Sequence, residues 1–323
     1  MIVFPLLCAI AVKQISAPTI FFVRKDSIYK SAQGHESLVI KHAVSPAVSY
    51  DQKLLAFIRE GDLYQYDLAK LELKRCTYMN LELEDVPDKD TYPSWDPTGS
   101  YVVFSHPDRY SVIRQGKPVH PMFATEHTMK TVWNVYWCWM TKLDTKTSLS
   151  LFLGNETSGT SVFTLASSSS PAFSPDGRRV AFCRNGDLWM ATVDPSSIHD
   201  LIGEAAWDEA RVLTCGTQEG GTRASNETTG IFRIGWSPDG KLLALSTDRY
   251  SSTGSPRVIV VRADNPAETV SSFAGSEACF LDSGHVLYVK PYSHTQDIWL
   301  RDIASQDEKI LIGNGTDPAV AGH

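Results

Sequence analysis

No stretch of this 323-residue chain runs for 18 unbroken apolar residues, so no segment has the length of a membrane-spanning helix. The six cysteines, at positions 8, 76, 138, 183, 215 and 279, form no CxxC pair, which leaves zinc-ribbon and thioredoxin-type readings without support. The G-x-S-x-G elbow, the H-E-x-x-H zinc helix, the P-loop, the dinucleotide fingerprint and the EF-hand pattern are all missing. Positive charge is scarce: 30 Lys and Arg face 37 Asp and Glu, a net charge of −7. Phosphate backbones need a basic face, so a nucleic-acid partner is not expected. No motif assigns a catalytic residue, a metal ligand or a cofactor.

What is present is core-forming material, 42% hydrophobic residues with 10% aromatics, which rules out a disordered chain. Ile2 to Val12 form an apolar run with the length of a signal-peptide core, and Ile15 and Ala17 stand at the −3 and −1 positions of a cleavage site. Residues 1–18 are therefore expected to be a leader, although no Lys or Arg precedes the run. Residues 19–323 are expected to form one domain. Cys138 and Cys183 fall within apolar strands, where a free thiol behaves as a small hydrophobe.

One unit recurs through that domain. "PAFSPDG" (171–177) returns as "IGWSPDG" (234–240), "PSWDPTG" (93–99), "ACFLDSG" (278–284), "PAVSYDQ" (46–52) and the truncated "PAVAG" (318–322). A short apolar strand follows each complete copy, as in "LLAFI", "RVAFC" and "HVLYV", and a third strand often opens with Asp, as in "DLYQYD" and "DLWMATVD". In Ser-Pro-Asp-Gly, Pro175 presets φ for the second turn position, Asp176 suits the third, and Gly177 takes the left-handed conformation. Asp176, Asp239 and Asp282 are accordingly turn residues rather than catalytic carboxylates. Runs such as "RVIVVRAD" and "VYWCWM" are apolar on both faces, as strands stacked between two neighbours must be. Trp133, Trp137 and Trp139 read as inter-sheet core before they read as a sugar platform.

The repeats start at 46, 93, 171, 234, 278 and 318. A four-stranded unit takes about 40–50 residues, so the two longer intervals, from 93 and from 171, carry insertions. "TIFFVR", "DSIYKS" and "SLVIKH" at the start match second, third and fourth strands without a first, which the last copy can supply. The expectation is an all-β, six-bladed β-propeller of four-stranded antiparallel blades, closed by the C-terminal strand pairing with the N-terminal strands. Closure removes the open edges of a linear array.

The SPDG turn, the "RRVAF"-like strand and the "DLWM"-like strand resemble the WD-like repeats of the TolB-type β-propeller family, and the resemblance spans residues 19–322. TolB itself carries an additional N-terminal α/β domain, for which this chain has no room. The resemblance implies a propeller that binds proteins or small ligands, often outside the cytoplasm, and no single activity.

Propeller ligands sit at the channel mouth, among loops joining second to third strands. Arg24, Arg59, His106, Arg109, Arg184, Arg249, Lys290 and His294 all fall in such loops and are the candidate ligand-binding residues. Solvation, or pairing with acids such as Glu60 and Asp187, explains the same arginines without a ligand. The longest of these loops, about residues 106–133, holds His106, His120 and His127 and reads as a lid or partner-docking insertion. The acidic stretch "LELEDVPDKDTYP" (81–93) reads as a solvated loop, and Asn155, Asn226 and Asn314 open glycosylation triplets.

The expectation is a non-catalytic binding or scaffolding module, monomeric, periplasmic or secreted, that engages a protein partner or a small anionic ligand on the insertion-bearing face. The alternatives are a propeller-type enzyme such as a polysaccharide lyase using channel-mouth His and Arg, or the propeller part of a larger peptidase. Convergence of His106, His120, His127 and His294 on one point would favour the enzyme.

Overall fold

The computed structural model describes residues 18–76, 91–99, 101–107, 136–142, 161–165, 168–184, 187–192, 222–225, 230–247, 256–290 and 295–320. The leader stretch, Arg109, Arg249, His294, His120, His127, Asn155 and Asn226 lie outside the described residues, as do Cys8, Cys215 and most of the acidic loop.

All of the described regular structure is β. Three strands open the chain, β1 (Ile20–Arg24), β2 (Ser27–Ala32) and β3 (His35–Lys41). The first blade follows with β4 (Val44–Val48), β5 (Leu54–Arg59), β6 (Asp62–Asp67) and β7 (Glu72–Arg75), and the second with β8 (Thr91–Trp95), β9 (Tyr101–Pro107), β10 (Tyr136–Lys142) and β11 (Ser161–Leu165). The third holds β12 (Ser168–Phe173), β13 (Arg179–Arg184), β14 (Asp187–Thr192) and β15 (Thr222–Ser225). The fourth holds β16 (Ile231–Trp236), β17 (Leu242–Thr247), β18 (Arg257–Arg262) and β19 (Thr269–Ala274). The fifth holds β20 (Ser276–Asp282), β21 (His285–Val289), β22 (Ile298–Asp302) and β23 (Glu308–Ile312), and the last strand is β24 (Thr316–Val320).

Each blade is an antiparallel meander in chain order, and five are built from four consecutive strands. A further four-stranded sheet has the order β24-β1-β2-β3. The six-bladed description expected from the repeats is corrected: among the described residues five blades are contiguous, and the remaining sheet is a composite of both ends of the chain. The reason is visible in the repeat, whose copy at 318 contributes a first strand and nothing more. β24 joins β1 through Ile20↔Val320, Phe21↔Ala319 and Val23↔Thr316, with a bulge between. The first strands pack in a circle, β4 on β8, β8 on β12, β12 on β16, β16 on β20, and β24 between β20 and β4.

The core lies between sheets. Leu55 and Phe57 of β5 face the composite sheet, packing with Phe21, Val23 and Ile28. Ala56 and Ile58, on the opposite face of the same strand, pack with Trp95, Val102 and Phe104 of the next blade. Alternate residues thus enter different clusters, which is why the second strands read as continuous apolar runs. Each such leucine, isoleucine, valine or phenylalanine contributes about 1.5–3 kcal/mol by leaving water. Cys183 is buried inside another of these clusters. The fourth strands β3, β7 and β23 expose Leu38, Leu73 and Ile310.

The turn chemistry is as expected from the tetrapeptide. Gly177 and Gly240 have φ of 69° and 68°, and each donates its N–H to the carbonyl of the turn's first residue, three positions earlier, Ser174 and Ser237, at 2.9 Å. Ser237 Oγ donates to Asp239 Oδ1 at 2.7 Å and accepts the Leu242 N–H at 2.9 Å, so one buried hydroxyl ties the turn to the strand it feeds. Burial opposes ionisation of Asp239, but the bonds from Ser237 and from the Lys241 N–H outweigh it and hold the carboxyl below its usual range. Asp176 is held down in the same way, by Ser174 and the Arg178 N–H against burial.

Candidate binding site at the channel mouth

The first strands begin two or three residues upstream of the repeat motif. The residue immediately before each motif therefore falls at the channel's end: Ser45, Tyr92, Ser170, Arg233, Glu277 and Asp317. Every first strand carries a register shift against its second strand at this level. Five of the six residues are in the left-handed region, with φ of 52° at Ser45, 54° at Tyr92, 54° at Ser170, 53° at Glu277 and 50° at Asp317. A left-handed non-glycine residue costs about 1–2 kcal/mol, and bulges of this kind re-aim side chains near functional sites. Ser45, Tyr92, Ser170, Arg233 and Asp317 line a cavity of about 100 Å³ along the axis. Below them, Ala47, Ser94, Ala172, Gly235, Cys279 and Ala319 stand at the equivalent position two residues on, and their small size leaves the channel open.

One side of the mouth is charged. The Arg233 guanidinium pairs with the Asp317 carboxylate, and its Nη2 donates to the Pro318 carbonyl at 2.7 Å. Asp317 Oδ2 accepts the Ser45 N–H at 2.7 Å, and the Asp317 N–H is donated to Glu277 Oε2 at 2.6 Å. Burial and then the Asp317 charge push the Glu277 carboxyl above its ordinary range, against the pull of Arg233. Burial opposes the Arg233 charge, yet Asp317 prevails and strengthens its hold on the proton. The Cys279 thiol is pushed up to about 12 by burial, so it is an inert neutral wall rather than a nucleophile. The other side of the mouth is hydroxylic, and Ser170 Oγ donates to the Phe232 carbonyl of the next blade at 2.6 Å.

The basic residues singled out in the sequence lie farther from the axis at this same end. Arg24 and Arg59 close β1 and β5, Arg184 closes β13 opposite Ser168, and Lys290 follows β21. His106 pairs Trp137 near the end of β9; for His106 and Arg184 the backbone position alone is described. Two of these residues are committed to internal contacts. Arg24 pairs with Glu36 at 2.6 Å, donates to the Asn314 and Gly313 carbonyls at 2.9 and 2.6 Å, and lies 5.0 Å from the Phe22 ring. Lys290 pairs with Glu308 and sits 4.1 Å over the Trp299 ring. Arg59, half-buried, makes no ion pair among the described residues. Sequence reasoning missed the inner residues, because five are neutral or acidic where a basic ring was sought. The signal was positional: each directly precedes a repeat.

No family model matches the chain, and no curated protein matches it. Among solved structures, TolB from Acinetobacter baumannii superposes with a TM-score of 0.61 at 14% identity, over 94% of this chain and 66% of that one. The fold is a TolB-like β-propeller. This propeller thus spans just under two thirds of that TolB chain. A structure from a nidogen/laminin complex matches it with a TM-score of 0.58 at 8% identity, covering 94% of this chain and 98% of that one. Oligogalacturonate lyase in complex with manganese matches with a TM-score of 0.51 at 14% identity, over 89% and 70%. Identities this low establish the propeller fold and leave its chemistry to the residues of this chain. No helix among the described residues is long and apolar enough to cross a membrane.

Proposed function

We propose that this propeller is a non-catalytic binding module whose channel-mouth face engages a protein partner or a small anionic ligand. The observation that carries the reading is the cluster of left-handed, non-glycine residues at one end of the channel, four of them with side chains lining the axial cavity. Repeated backbone cost at one mouth supports selection for what those side chains face. Arg59 and Arg184 stand around that mouth, where β9 ends and β10 begins. The apolar run at 2–12 and the TolB-like fold support a leader followed by one propeller domain in the periplasm or outside the cell. The lyase alternative turns on convergence of His106, His120, His127 and His294, whose side chains lie outside the described residues.

Two variants test the reading. One excises most of residues 106–133, and the other, Ser45→Tyr, narrows the mouth with a side chain that Tyr92 shows the equivalent position accepts. Both should melt as the wild type does and lose a partner that wild-type propeller captures from its source's envelope fraction. Capture unchanged in both would overturn the assignment. Cleavage of oligogalacturonate by the wild type, abolished by His106→Ala, would replace it with the lyase.

A further inference from the structure

The last strand reaches its place with few backbone bonds of its own. Three register pairs join β24 to β1, and a bulge interrupts them. The polar contacts around it are correspondingly dense. Arg24 of β1 holds the carbonyls of Gly313 and Asn314, just ahead of the strand. Ser45 of β4 donates to the Asp317 carboxylate, Glu277 of β20 accepts the Asp317 N–H, and Arg233 of β16 grips both Asp317 and the Pro318 carbonyl. Three neighbouring sheets thus converge on Asp317 and Pro318, two residues of the strand that closes the ring.

The charges do not balance. Two carboxylates, Glu277 and Asp317, share one guanidinium, and Arg233 is the single cation facing them among the described residues. The remaining titratable neighbours are Cys279 on the same strand as Glu277 and Tyr92 of β8, which faces Arg233. Arg233 and Asp317 have side chains only 13% and 16% exposed, so water screens the excess negative charge poorly. A single added proton neutralises the cluster while leaving every contact to Asp317 in place.

We propose that Glu277, Asp317 and Arg233 form a proton-binding latch on β24, which holds the ring shut more firmly when Glu277 carries a proton. The sign follows from linkage. A carboxyl whose folded-state pKa is raised contributes stability that is full below its unfolded pKa and is lost as pH rises through the folded one. Glu277 shifts in that direction. The lowered turn carboxylates at Asp176 and Asp239 act oppositely, losing their contribution only as pH falls below the usual carboxylate range. The two effects therefore occupy different parts of the pH scale.

The test is hydrogen exchange on the full chain as pH rises from the ordinary carboxylate range to about pH 8. Protection factors, corrected for intrinsic rate, are compared at Ala319 and Val320 of β24 and at Val258 and Val260 of β18. With a latch, the β24 amides lose protection as pH rises, up to roughly tenfold for each unit of upward shift, while β18 holds. Glu277→Gln, a neutral mimic of the protonated acid, should remove that dependence and keep β24 protected at the upper end. Equal pH dependence of β24 in the wild type and Glu277→Gln would overturn the latch. If the variant fails to fold, a wild-type β24 whose protection does not change with pH overturns it on its own.

Discussion

Ser237 shows how much a single side chain carries in this propeller. Its hydroxyl is fully buried, donates to Asp239 and accepts the Leu242 N–H that opens β17. Replacing it with Ala strands a buried amide and frees the Asp239 carboxylate at once. Ser237→Ala should cost about 1–3 kcal/mol, read as a lowered denaturant midpoint with an unchanged slope. A midpoint equal to the wild type's would show that water replaces the hydroxyl. The same residue marks what was legible. The Ser-Pro-Asp-Gly turn is local chemistry, written in four adjacent positions, and the structure reproduces it at Gly177 and Gly240. The role of Ser45 or Asp317 is not local, because it depends on which strands surround the channel.

At the scale of elements, neighbouring blades are stitched by first-strand tryptophans. Trp95 Nε1 donates to the Ala47 carbonyl and Trp236 Nε1 to the Ala172 carbonyl, each at 3.0 Å and each across a blade boundary. Arg179 lies 4.7 Å from the Trp236 ring, adding a cation to the same contact. Trp236→Phe keeps most of the apolar area and deletes the indole donor, so it should destabilise by about 1 kcal/mol in chemical denaturation. A variant as stable as the wild type would reduce the tryptophan to a space filler. Strand identities were readable here because turn and aromatic recur together in the copies at 93, 171, 234 and 278. The basic ring read less well: Arg24 ends β1 and Lys290 follows β21, but Glu36 and Glu308, which engage them, are contributed by fourth strands whose register no local pattern reveals.

For the whole molecule, the ring depends on residues nearly 300 positions apart in sequence. Phe21 lies opposite Ala319, and Arg24 reaches the carbonyls that lead into β24. The incomplete copy at 318 and the missing first strand near residue 19 announced this pairing, since each supplies what the other lacks. They did not announce that the closing residues would also be the mouth of the channel, with Asp317 serving both. The direct measurement is the thermal unfolding of a chain lacking residues 316–323. Losing the strand exposes the β1 edge and leaves Arg233 without its carboxylate, which should remove several kcal/mol and lower the Tm by about 5–10 °C or abolish a single transition. A Tm and transition indistinguishable from those of the full chain would contradict the closed ring and everything placed at its mouth.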